Sequence, residues 1–118
     1  MKTPEKVVTD FMKAWRKKDF EKMKRYCQKT WIEESKISLS EMLKSFELRS
    51  WKILKTVGVG ETCRDVNLNL TLERNGKWIK MSALCKVTAR TICEVAPYEP
   101  DLSGEWGVNP VSLLRGLN

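Results

Sequence analysis

The dipeptide Asn75-Gly76, set between two stretches of strict alternation, constrains this chain more than any other feature. Both residues tolerate positive φ, as a two-residue type I′ turn requires, so the pair predicts an antiparallel hairpin over residues 61–90. On the first arm Thr62, Arg64, Val66, Leu68, Leu70 and Leu72 share one face. Cys63, Asp65, Asn67, Asn69, Thr71 and Glu73 share the other. On the second arm Ile79, Met81, Ala83, Cys85, Val87 and Ala89 alternate with Trp78, Lys80, Ser82, Leu84, Lys86 and Thr88. A period of two marks a half-buried strand.

A two-residue loop would fix the register. Arg74 then opposes Lys77, Leu72 meets Ile79, Leu70 meets Met81, Leu68 meets Ala83 and Val66 meets Cys85. On the other face Glu73 meets Trp78, Asn69 meets Ser82 and Asp65 meets Lys86, an opposite-charge pair. A slip of one residue would mix the faces. Burial of the apolar face, at about 25 cal/mol per Å², drives packing more than the turn does.

The remaining elements are read from local signals. Thr3 is a good N-cap and Pro4 a good first helical residue. Val7, Val8, Phe11, Met12 and Trp15 recur at helical spacing, which predicts an amphipathic helix over residues 4–17. Asp19 caps a second helix carrying Phe20, Met23 and Cys27, expected to run to about Gln28. The segment from Thr30 to Ile37 reads as irregular or partly helical. Ser38 or Ser40 caps a short third helix with Met42, Leu43 and Phe46. Residues 51–57 read as a strand turning at Val59-Gly60, with Trp51 and Ile53 opposite Leu68 and Val66. The strand from Lys77 is expected to reach Val95, and Glu105 to Asn109 forms a last short strand. Residues 111–117 read as a tail or a single turn. The fold class is α+β: two or three N-terminal helices packed on a curved antiparallel sheet of about four strands. At 118 residues one domain, 1–118, is expected.

Composition removes several functions. The chain has no histidine, which excludes Ser-His-Asp, Cys-His and imidazole-ligated metal chemistry. The four cysteines, Cys27, Cys63, Cys85 and Cys93, show no C-x-x-C spacing and read as buried thiols, not as a disulfide framework or zinc site. No catalytic residue, metal or cofactor is expected. Gly58 and Gly60 make only a fragment of a dinucleotide fingerprint, followed by a strand where a helix is needed. No apolar run approaches membrane-spanning length and no signal-peptide core is visible, so a cytoplasmic location is expected unless an export segment has been trimmed. Net charge is +7, and eight Lys or Arg fall between Lys13 and Lys29. That run is a candidate footprint for nucleic acid, but it lacks interleaved exposed aromatics, and a solvated helix face is the plainer reading.

Arg64 is the anomaly on the apolar face. With Lys55 expected nearby, the two cations form a candidate anion site at the sheet's rim. Tyr26, beside the apolar stripe of the second helix, and Tyr98, in the loop after Pro97, are candidate pocket-lining residues. By alternation Asp65 faces away from the helices, where it is a poor catalytic base. Asn67, Asn69, Trp78 and Leu84 share that outer face and make it a candidate interface.

The opening Thr3-Pro4-Glu5-Lys6-Val7-Val8, with Phe11, Ala14-Trp15 and Asp19-Phe20-Glu21, resembles small bacterial and archaeal members, of unknown function, of the nuclear transport factor 2-like family. The closing run from Glu105-Trp106-Gly107-Val108-Asn109-Pro110 to Leu114 resembles their final strand. The resemblance implies an α+β cone shared with ketosteroid isomerases. Many such relatives are exported lipoproteins, but the export signal is not seen here. In that fold the outer sheet face often dimerises, which implies a homodimer through it. The expected function is a non-catalytic binding or dimerisation module for a partner or a small hydrophobic or anionic ligand. The alternatives are an isomerase-like enzyme and an anionic-polymer binder.

Overall fold

The structure, a computed structural model, describes residues 3–75, 84–97 and 105–117. The first helix, α1 (Pro4–Arg16), starts where the sequence signals place it. Thr3 Oγ1 accepts the Lys6 N–H at 3.1 Å, which satisfies one of the orphan donors of the first turn. Its buried stripe is Val7, Val8, Phe11, Met12, Ala14 and Trp15. Lys18 turns the corner with φ 56°, and Asp19 N–H bonds back to the Ala14 carbonyl at 2.9 Å. Asp19 then caps α2 (Phe20–Lys24), accepting from Lys22 N–H at 3.1 Å.

The second helix stops earlier than its apolar spacing implies, because the next residues are recruited elsewhere. Val108 N–H donates to the Tyr26 carbonyl at 2.7 Å, and Gln28 N–H donates to the Val108 carbonyl at 2.9 Å. This parallel bridge between Cys27 and Val108 is incompatible with continued helix. Next come two short helices, α3 (Lys29–Glu34) and α4 (Leu39–Leu43), the latter capped by Ser38. Four helices therefore precede the sheet, where two or three are expected from the sequence.

The sheet is antiparallel with order β1-β2-β3-β4: β1 (Phe46–Val59), β2 (Cys63–Asn75), β3 (Leu84–Pro97) and β4 (Trp106–Asn109). A final helix, α5 (Pro110–Leu117), stands where a tail or single turn is expected. Pro110 is pre-set for the first helical position, and Asn109 Oδ1 accepts the Val111 N–H at 3.2 Å. The helix runs beside β3, where Thr91 Oγ1 donates to the Leu113 carbonyl at 3.1 Å and Glu94 N–H donates to Ser112 Oγ at 2.9 Å.

The register of β2 on β3 differs from the two-residue-turn expectation. Arg74 pairs with Cys85, not Lys77, and Leu72 with Val87, not Ile79. Leu70 pairs with Ala89, Leu68 with Thr91 and Val66 with Cys93. The whole arm sits eight residues further along than expected. An even displacement keeps every side chain on its face, so the core assignment survives while the partners change. Asp65 opposes Glu94 instead of Lys86, and Lys86 opposes Glu73. Gly76, the second residue of the expected turn, lies outside the described residues.

Strand β1 contains two bulges, one between Leu48 and Ser50 and one between Ile53 and Lys55. Trp51 pairs with Leu70 and Ile53 with Leu68, one pair further along than expected but on the same face. Each bulge adds a residue, bends the strand and reverses the face of the residues beyond it. One apolar cluster joins α1, Met23, Cys27, Leu39, Leu43 and Leu48 to Val66, Leu68, Leu70 and Leu72, and it extends through Cys93, Val95, Val108 and Leu113. Among the described residues the helices thus cover one face of the sheet and not the other.

Candidate functional site

The inner face offers little chemistry. Phe11, Met12, Trp15, Leu39, Leu43 and Leu68 are fully buried there, and Trp15 Nε1 donates to the Phe46 carbonyl at 3.3 Å. Cys27 and Cys93 are free thiols in this layer; burial pushes Cys27 up to about 12 and raises Cys93 as well, so neither is a nucleophile near neutral pH. Glu73 is buried on the outer side and held by Arg49, with Nε to Oε1 at 2.8 Å and Nη2 to Oε2 at 2.9 Å. Arg49 also meets Glu47 at 3.1 Å, and Glu47 meets Lys18 at 3.0 Å. This carboxylate is committed to a structural ion network. Among the described residues no group of three or more Cys, Asp or Glu is placed to hold a metal ion.

The outer face is laid out by the register as successive rows across β1, β2 and β3. One row is Val57, Asp65 and Glu94; the next is Lys55, Asn67 and Ile92; the next is Lys52, Asn69 and Arg90. Leu54, Val57, Val59 and Ile92 are 45, 43, 49 and 44% exposed, a concentration of large apolar side chains in water on one sheet face. The second bulge of β1 explains two of them, Val57 and Val59. Without the extra residue at Leu54, Val57 and Val59 would continue the inward series of Trp51 and Ile53. A groove of about 460 Å³ runs over this surface, lined by Leu54, Lys55, Asn67, Leu68, Arg90, Thr91 and Ile92. Lys52, Lys55 and Arg90 make no ion pair among the described residues. The half-buried Cys63 thiol is raised by burial first and then by Asp65 and Glu94.

The same bulge separates the expected cation pair. Lys55 pairs with Asn67 and so faces outward, while Arg64 belongs to the inward series. Arg64 Nη1 donates to the carbonyls of Cys63 at 2.8 Å and Gly60 at 3.2 Å, and its guanidinium lies 5.2 Å from the centre of the Trp106 ring. It staples the β1–β2 turn to β4 at the end of the core, and the two cations do not converge. Gly60, with φ +70°, supplies the left-handed residue that this turn needs. Tyr26 is half-buried against the apolar cluster, its main chain bonded to Val108.

Asn67 and Asn69 lie at the centre of the outer face. Asn69 Oδ1 is shielded from solvent and has no hydrogen-bond partner among the described residues. Leu84 heads β3 opposite Asn75. Trp78 and Tyr98 lie outside the described residues.

The basic run is partly spent on local contacts. Arg16 lies over the Trp51 ring at 5.1 Å, Lys18 pairs with Glu47, and Lys24 pairs with Glu21 at 3.1 Å. Alternation along residues 61–90 anticipated the outward Asn67 and Asn69, and the same periodicity points Ile92 outward. Nothing in the sequence marks the bulge that brings out Val57 and Val59. No helix among the described residues is long and apolar enough to cross a membrane. No protein-family model, curated protein or solved structure matches the chain.

Proposed function

We propose that this chain is a non-catalytic binding module of the nuclear transport factor 2-like type, which dimerises through the outer face of its sheet. The observation that carries the reading is the exposed set Leu54, Val57, Val59 and Ile92 on a strand surface that no helix of the described residues covers. Two further features support it. The helix-facing layer is filled by Trp15, Phe11 and leucines, and the buried Glu73 carboxylate is neutralised by Arg49. Isomerase-like catalysis would need a base and an oxyanion donor converging on a cavity in that layer. Covering four exposed aliphatics removes apolar area from water at about 25 cal/mol per Å². The patch is narrow, so it belongs with small interfaces of under about 1,200 Å² in total, and association should depend strongly on concentration.

Sedimentation of the wild-type chain over a range of concentrations tests this. Mass should rise from monomer toward dimer, and the double substitution Val57→Glu with Ile92→Glu should hold it at monomer. A second reading is a small anionic ligand with an apolar portion, favoured by Lys55 and Arg90 flanking Leu54 and Ile92 in the groove. A wild-type chain that stays monomeric but binds a fatty carboxylate would select it.

A further inference from the structure

We infer that the seam between α1 and β1 binds single-stranded nucleic acid, its phosphates held by Lys13, Arg16 and Lys17 and a base stacked on the Arg16–Trp51 pair. This does not rest on the outer-face reading, because α1 packs on the opposite side of the sheet. Lys13, Arg16 and Lys17 stand at i, i+3 and i+4 along the end of α1 and its C-cap, so they share one side of the helix, and all three are exposed. None of them makes an ion pair among the described residues. The acids of this region are engaged elsewhere. Asp10 pairs with Lys6 at 3.1 Å, Asp19 caps α2, Glu21 pairs with Lys24, and Glu47 pairs with Lys18 and Arg49. The three cations therefore face water as an unneutralised group, which is the electrostatic footprint that phosphates recognise.

Cations alone would bind any polyanion, and the basic run by itself offers no exposed aromatic among them. The fold supplies one from β1. Three contacts tie the end of α1 to the start of that strand. Trp15 Nε1 donates to the Phe46 carbonyl at 3.3 Å, Lys18 Nζ meets Glu47 at 3.0 Å, and the Arg16 guanidinium lies over the Trp51 ring at 5.1 Å. Trp51 is only half-buried, and β1 is an edge strand, with no strand beyond it among the described residues. The stacked guanidinium and indole thus form a flat platform at the sheet edge, beside Lys13 and Lys17. Unpaired bases stack on aromatic rings and on guanidinium planes, whereas the bases of a duplex are already stacked on one another. Lys52, next in sequence to Trp51, is exposed and also makes no ion pair among the described residues, so positive charge continues past the platform along the strand.

Fluorescence anisotropy of a labelled oligothymidylate, titrated with the wild-type chain, tests the site. The strand should bind at low salt. Raising salt from about 50 to about 200 mM should weaken binding about twentyfold, since about three phosphates are neutralised at a slope of about −0.7 each. An abasic strand of the same length carries the phosphates without the bases, and it should bind about fivefold or more weakly. The double substitution Lys13→Gln with Lys17→Gln touches no core residue and should weaken binding of the oligothymidylate about tenfold or more. Trp51→Leu keeps an apolar side chain against the core and should bind the two strands alike. No binding at low salt, salt-independent binding, or a Lys13, Lys17 variant that binds as the wild type does overturns the site. Equal affinity of the wild type for the oligothymidylate and the abasic strand overturns the stacked base, and with it the assignment to nucleic acid.

Discussion

The two faces of this sheet come from the same strands and have opposite chemistry. On one, Val66, Leu68, Leu70 and Leu72 have no exposed surface and meet α1. On the other, borne by the same backbones, Val57 and Ile92 are nearly half exposed beside Lys55, Arg90 and Asp65. The inner face is apolar because alternation points it at the helices. The outer face is mixed, and Val57 and Val59 are on it because a bulge redirects a strand that would otherwise have continued inward. Apolar side chains that reach water through a bulge are a feature of the surface, not leftover core.

Substitutions on the two faces should separate stability from association, and the largest effects belong to the inner face. Trp15→Ala should cost about 3–5 kcal/mol and Leu70→Ala about 2–5 kcal/mol in denaturant unfolding, because each opens a cavity that the surrounding layer cannot fill. Gly107→Ala comes next. A Cβ there would stand 2.8 Å from the Gln28 backbone, so the bridge that ties the α2 exit to β4 would have to shift. Overpacking of this kind costs about 1–3 kcal/mol, again read from the unfolding midpoint.

A smaller effect comes from the buried thiols. Cys27 is raised from 9.0 to about 12, so the folded chain keeps a proton that the unfolded chain releases above pH 9. Stability is therefore fully present below pH 9 and falls as pH rises toward 12, by about 1 kcal/mol at pH 10 from this group. Cys93 acts in the same direction. Alkylation at pH 8 should modify neither residue in the folded state. The smallest effect should come from Val57→Ala on the outer face. Unfolding should change by no more than about 0.5 kcal/mol, as for other exposed sites, while the proposed self-association weakens.

Much of the inner face was legible in the sequence, and the outer face only in part. Thr3, Asp19 and Ser38 cap helices as their side chains suggest, because a cap depends on a few adjacent backbone groups. The faces of β2 and β3 came from alternation alone. Their register did not. A period-two pattern from Lys77 to Val95 is satisfied by any even displacement, and the Asn75-Gly76 signal is local. What holds β3 in place is distant in sequence: Val95 pairs with Arg64 on one side and Val108 on the other, and Ser112 and Leu113 bind Glu94 and Thr91. Lys55 shows the same limit. Its expected partnership with Arg64 assumed unbroken alternation in β1, and one inserted residue sends the two cations to opposite faces.

The most direct test of the outer face as the working surface compares the wild type with the Val57→Glu, Ile92→Glu double variant, measuring mass by sedimentation and stability by denaturant unfolding on the same samples. The wild type should form a concentration-dependent dimer, and the variant should stay monomeric with an unchanged unfolding midpoint, read at a concentration where the wild type is monomeric. A variant that dimerises as the wild type does, or a wild type that never leaves the monomer, would contradict this role of the outer face.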